Sequence, residues 1–196
     1  MAKEILKKSS IGVFDSGFGG LEILREMVKE SPQYYYIYLG DTTRAPYGNR
    51  SQEQIYDFTK QAVDFLFNKG CRLIILACNT VSSEALRKIQ REYLPEHHPE
   101  KRVLGVIIPA VESATEITKN NRVGVMATNS AVDSNAFRKE LRKLNSQIQV
   151  FQQSCPLLVP IVEGAKLTRR DNLTLVKKLL EKRFFNVIQN YYSIQF

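Results

Sequence analysis

Short apolar runs alternate with longer amphipathic ones along most of the chain. Ile11 to Phe14 is a short apolar run that ends in a glycine-rich turn. Residues 20 to 30 carry Leu21, Leu24 and Val28 at helical spacing. Tyr34 to Leu39 is aromatic and strand-like, and 51 to 68 predicts a helix. There Ser51 is a good N-cap, Gln54 sits where a capping box needs it, and Gly70 closes the end. Leu73 to Ala77 is continuously apolar, as a parallel strand covered on both faces would be. A helix is expected over 80 to 93, followed by a polar break at 95 to 101.

The alternation then resumes. Val103 to Ile108 predicts a strand, and Pro109 opens a helix, where its missing N–H costs nothing. Strands follow at Val123 to Met126 and Ile148 to Phe151, with helices at 134 to 144 and 173 to 183. In the last of these, Leu175, Leu179 and Leu180 are apolar and Lys177, Lys178 and Lys182 polar. Residues 184 to 196 are aromatic and strand-like, an aggregation hazard if exposed. Strands alternating with helices argue for an α/β fold of parallel sheets with right-handed crossovers. The polar break divides it into two units, 1–97 and 98–196. The second reads as cut short, because the chain stops on entering a further strand.

Composition narrows the class. The chain has 196 residues, 43% hydrophobic and 24% charged, which is ordinary for a globular protein. No apolar run reaches the ~18 residues of a membrane span, and the basic start lacks the apolar core of a secretion signal. Cys71, Cys78 and Cys155 fit neither a zinc site nor a disulfide framework, so a reduced cytoplasmic protein without a metal is expected. The net charge of +8 raises the question of nucleic acid. The basic residues are spread along helix faces, for example Lys60, Arg87, Lys88, Arg138 and Arg142, with no interleaved aromatics to stack bases. Neither a nucleic acid nor a membrane partner is therefore expected.

In parallel α/β sheets, ligands bind where strands end and helices begin. Three such junctions carry unusual polar residues: Asp15-Ser16-Gly17-Phe18-Gly19-Gly20, then 40 to 48 with Pro46-Tyr47-Gly48, then Ala77-Cys78-Asn79-Thr80. Cys78 ends a strand and precedes a helix, a position that favours thiolate. It reads equally as a small buried hydrophobe beside a capping residue. The glycines match neither a dinucleotide fingerprint nor a P-loop. Asp15 suits an ammonium group or a proton transfer, or simply a capped turn.

Together, the Asp-Ser-Gly-x-Gly-Gly, Pro-Tyr-Gly and Ala-Cys-Asn-Thr segments resemble the glutamate racemases of the aspartate/glutamate racemase superfamily. So do Ser154 to Glu163 and Val123 to Phe137, and the resemblance covers roughly 10 to 182. It implies cofactor-independent interconversion of L- and D-glutamate for peptidoglycan synthesis, with glutamate as the small-molecule partner. It leaves a homodimer open. By the same resemblance Cys78 is one of two catalytic cysteines. Asp15, Ser16, Tyr47, Gly48, Asn79 and Thr80 contact substrate, with Asn79 and Thr80 taking a carboxylate.

The family's second cysteine lies in a Gly-Cys-Thr-His-Tyr-Pro segment that has no counterpart here. Ala131 and Phe137 also stand where Thr and Tyr are usual. Cys71 is seven residues from Cys78, about 20 Å along a strand, so the two cannot flank one carbon. Cys155 lies in a loop of the second unit, and His97 and His98 read as surface residues. A truncated, catalytically impaired remnant that at most binds glutamate is the alternative expectation.

Overall fold

The computed structural model describes residues 10–156, 158 and 159, and the backbone of 194–195. It separates into two compact units, 1–107 and 108–196. The expected joint at 97/98 falls ten residues early, because the strand after the polar break belongs to the first sheet.

The first unit begins with β1 (Ser10–Asp15), α1 (Gly20–Glu30) and β2 (Tyr35–Gly40). A 3-10 turn at Tyr47–Asn49 follows, then α2 (Gln52–Asn68) and β3 (Leu73–Leu76). The expected helix over 80 to 93 is segmented into α3 (Asn79–Glu84), α4 (Leu86–Lys88), a π turn at Ile89–Tyr93 and α5 (Leu94–His97). β4 (Arg102–Gly105) completes an all-parallel sheet of order β2-β1-β3-β4.

α2 shows how closely local sequence sets structure here. The Ser51 hydroxyl accepts the Gln54 N–H, and the Gln54 side chain accepts the Ser51 N–H, so the capping box is present. At the other end Gly70 takes φ 94°, and Cys71 N–H returns to the Leu66 carbonyl. Ile55, Ala62, Val63 and Leu66 of α2 then seal one face of the sheet with Phe14, Ile74, Leu76, Val81 and Leu86.

The opposite face is different. In β3, Ile74 and Leu76 are fully buried but Leu73 and Ile75 only partly so, not buried on both faces as the apolar run suggested. α1 lies on the less covered side. Gly20 is its one buried residue, while Leu21 and Val28 are 45% and 43% exposed. An open groove lined by Ile11, Ile23, Met27 and Tyr36 runs beside it.

His98 is not a plain surface residue. Its Nε2 lies 2.8 Å from Asp64 of α2, whose carboxylate also accepts the Tyr93 hydroxyl at 2.7 Å. His97 stays exposed and stacks on Tyr93 with ring centroids 4.3 Å apart. The polar break is thus largely a helix end pinned to α2.

The second unit holds most of α6 (Ile107–Ile117), then β5 (Arg122–Ala127), α7 (Asn129–Asp133), α8 (Ala136–Leu144), β6 (Gln149–Ser154) and β7 (Ile194–Gln195). β5 pairs in parallel with both β6 and β7. Pro109 sits inside the first turn of α6 rather than opening it. The helix expected at 173 to 183 lies outside the described residues. Among those that are described, no helix is long and apolar enough to cross a membrane.

The glycine-rich turn gives a test of the packing. A Cβ on Gly20 would stand 2.7 Å from Asp15 Cβ and 3.0 Å from Ala77 Cβ, whereas one on Gly19 would meet nothing within 4 Å. Gly19 already has helical dihedrals. Gly20→Ala is expected to cost about 1–3 kcal/mol in chemical denaturation, and Gly19→Ala to be neutral or slightly stabilising. Equal effects would show that Gly20 is not the tight point of the turn.

Candidate active site

The strand order turns around at β1. The chain leaves β1 through α1 to reach β2 on one side, and leaves β2 through α2 to reach β3 on the other. The crevice of a doubly wound sheet opens between two such strands, at their carboxyl ends. Phe14 pairs with Leu76 across that gap, and Ala77 N–H donates to the Phe14 carbonyl at 2.8 Å. Asp15 and Ser16 therefore emerge directly beside Ala77 and Cys78. Ser16 Oγ lies 3.1 Å from Cys78 Sγ.

Asp15 is 4% exposed. Its Oδ2 accepts the Gly20 N–H at 2.8 Å, which ties the carboxylate to the start of α1. The Tyr38 hydroxyl stands 3.4 Å from the same oxygen and 3.1 Å from the Gly17 carbonyl. Among the described residues Oδ1 accepts no hydrogen bond. The capped-turn reading of Asp15 is thus correct for one oxygen and leaves the other available.

Cys78 is 9% exposed and is the N-cap residue of α3. Its thiol pKa is raised, against the sequence expectation. Burial contributes most, followed by the nearby negative charge of Asp15. The Ser16 hydroxyl and the N–H groups of Val81 and Ser16 oppose these effects without overcoming them. A helix of six residues offers little dipole, and desolvating a thiolate costs more than that dipole returns. The resting group is the neutral thiol.

The other candidates divide. Asn79 is exposed next to Cys78, while Thr80 is only 4% exposed. Tyr47, expected to line the pocket, is 1% exposed. It packs against Phe14 and Phe58, and its hydroxyl donates to Asp41 Oδ2 at 2.5 Å. Burial and that bond to Asp41 raise its pKa, so it stays neutral. It belongs to the same buried cluster as Cys78. Gly48 follows it, partly exposed. Cys71 is fully buried at the amino end of β3, the edge opposite Cys78.

Sequence reasoning missed Asp41 and Tyr38. Asp41 follows β2 much as Ser16 follows β1, and its N–H donates to the Asp15 carbonyl at 2.9 Å. Its carboxylate also accepts Arg44 Nε at 2.5 Å, and the Arg44 guanidinium lies over the Phe58 ring. A second acidic residue just past a neighbouring parallel strand was the available signal. Among the described residues no group of His, Cys, Asp and Glu could hold a metal ion.

This arrangement has close relatives. The chain is 40% identical to a glutamate racemase of Exiguobacterium sibiricum over 158 residues, 80% of this chain and 56% of that protein. It is also 40% identical to that of Persephonella marina over 173 residues, 88% of this chain and 64% of the relative. The chain thus spans roughly three-fifths of the length of these relatives. Among solved structures, glutamate racemase isoform RacE1 of Bacillus anthracis matches with a TM-score of 0.80 at 31% identity, covering 94% of this chain and 66% of that one. Glutamate racemase of Francisella tularensis in complex with D-glutamate matches at 0.79 and 32% identity, with the same coverage. The family profile of Asp/Glu/hydantoin racemases matches residues 11–188. A match that runs from β1 to within a few residues of the end takes in nearly the whole chain, and the chain belongs to the Asp/Glu/hydantoin racemase family.

Proposed function

We propose that this chain acts as a cofactor-independent glutamate racemase in the cytoplasm, supplying D-glutamate for peptidoglycan, with Cys78 exchanging the α-proton on one face of the substrate. The observation that carries the reading is the 3.1 Å pairing of Ser16 and Cys78 at the sheet's switch point, with the Asp15 carboxylate near enough for its charge to act on the thiol. Relatives bearing the glutamate racemase name support the choice of substrate, as does the D-glutamate bound by the Francisella tularensis enzyme.

Removing an α-proton needs a base on one face, and inversion needs an acid on the other. A neutral resting thiol is ready to act as the acid. To act as the base it must first give up its proton to solvent water, and the substrate favours that loss. An ammonium group placed against Asp15 neutralises the charge that opposes the thiolate, so the reactive form arises with substrate bound rather than in the free protein. Ser16 then donates to the sulfur. The exposed Asn79 amide and the backbone at Gly48 and Thr80 hold the rest of the amino acid, while Tyr47, in the same buried cluster as the thiol, helps to exclude water.

A second reading has its own support. In the first unit Cys78 is the thiol at the reactive edge, and Cys71 lies at the other end of β3. On that reading the chain binds glutamate and exchanges a proton from one face, or binds it only.

Two experiments test these statements. Iodoacetamide labelling of Cys78, followed by peptide mapping, is expected to be slow at neutral pH and to rise only above the ordinary thiol range near ~8.5. Asp15→Asn removes the repelling charge and is expected to move the curve to lower pH. Rapid labelling at pH 7 would contradict the neutral resting thiol. The second experiment incubates the chain with L-glutamate, and separately D-glutamate, in D₂O. Loss of the Cα–H signal with appearance of the opposite enantiomer, abolished by Cys78→Ala, is the expected outcome. Exchange with retention from one enantiomer, or binding without exchange, would favour the second reading.

A further inference from the structure

β2 presents Tyr36 and Tyr38 on the same side, two residues apart. Their hydroxyls reach opposite ends of α1. The Tyr36 hydroxyl stands 3.1 Å from the Met27 carbonyl and 3.0 Å from that of Ser31, at the helix C-terminus. The Tyr38 hydroxyl stands 3.1 Å from the Gly17 carbonyl and 3.4 Å from Asp15 Oδ2, at the entry turn. The strand thus holds the helix at both ends. Gly40 allows this contact, since a Cβ there would stand 3.1 Å from both the Gly17 carbonyl oxygen and the Tyr38 ring.

The two ends differ in consequence. Tyr36 secures a helix terminus remote from the sheet's carboxyl edge. Tyr38 secures the turn between Asp15 and Gly20, whose N–H holds Asp15 Oδ2 at 2.8 Å. The single hydrogen of the Tyr38 hydroxyl is shared between the nearer Gly17 carbonyl and Asp15 Oδ2, so Oδ2 is held by the Gly20 N–H and flanked by Tyr38, and Oδ1 is left for other work. Besides burial, the groups that bear on the charge state of Cys78 are Asp15, the Ser16 hydroxyl and the Val81 and Ser16 N–H groups. Asp15 is the one full charge among them.

We infer that Tyr38 is a positioning residue: through the Gly17 carbonyl and Asp15 Oδ2 it sets where the Asp15 carboxylate stands relative to Cys78. The inference deepens the racemase reading and rests on it for its catalytic meaning, but the geometry can be tested without turnover. Loss of the phenol hydroxyl frees the entry turn, and the carboxylate drifts from its place beside the thiol. Repulsion of the thiolate then weakens.

The test compares Tyr38→Phe with Tyr36→Phe in the whole chain, reading the pH dependence of Cys78 alkylation alongside thermal unfolding. Both variants lose a hydroxyl anchor on α1, so both are expected to lower the melting temperature. Only Tyr38→Phe is expected to shift the alkylation curve to lower pH, with labelling at pH 8 faster by about two- to fivefold, a fraction of one pKa unit. In an Asp15→Asn background the Tyr38 effect is expected to vanish, because no charge remains to be positioned. Equal curves for the two single variants, or a Tyr38 effect that survives Asp15→Asn, would overturn the assignment. Failure of glutamate exchange with the alkylation pattern intact would count against the racemase reading alone.

Discussion

The site depends on a register. β1 and β3 pair in parallel with Phe14 opposite Leu76, and the ladder closes with Ala77 N–H on the Phe14 carbonyl. Because both strands end at this height, the residues that follow them, Ser16 and Cys78, meet although 62 positions apart in sequence. A slip of one residue would turn every side chain of β3 to the other face and send Ile74 and Leu76 out of the core. The cost of exposing these two fully buried side chains holds the register, and the register holds the thiol against the serine. The hydrophobic effect thus positions the polar pair without touching it.

The charge state of Cys78 is a contest between burial and local donors. The Ser16 hydroxyl and two backbone N–H groups favour the thiolate, while desolvation and Asp15 disfavour it, and the latter win. A site of this kind differs from one in which a permanent cation activates the thiol. Its activation is conditional, since the opposing carboxylate is also the group best suited to meet a substrate's ammonium. Were Asp15 moved away, the thiol would ionise more readily in the empty protein and would be open to alkylation and oxidation.

Local signals were legible in the sequence wherever neighbouring residues decide the outcome. Ser51 and Gln54 make the capping box, Gly70 takes the positive φ that ends α2, and Gly20 to Glu30 is the helix that its spacing predicts. The three polar junctions were legible as well, because strand ends in parallel sheets are where side chains gather. The misreadings all involve partners distant in the chain. His98 looked exposed because Asp64 lies 34 residues away. The strand expected at Val103 to Ile108 reads as the start of the second unit, but the strand that forms, Arg102–Gly105, pairs with β3. The thiol's pKa was misjudged because a helix start is visible in sequence and burial is not.

The two faces of the first sheet show a division of labour that sequence pattern does not reveal. On the α2 face, burial does the holding, through a continuous apolar core from Phe14 to Val103. On the α1 face, burial is slight. Leu21, Leu24 and Val28, spaced to form a core stripe, remain partly or largely exposed. What anchors α1 is a set of polar links: Asp15 to the Gly20 N–H at its start, Tyr38 at its entry turn and Tyr36 at its end. Net hydrogen bonds of this kind contribute about 0.5–1.5 kcal/mol each, less than a well-packed helix face provides. A helix held mainly at its ends is sensitive to each end. Since its beginning is also the clamp on Asp15, the stability of α1 and the electrostatics of Cys78 are set by the same few bonds.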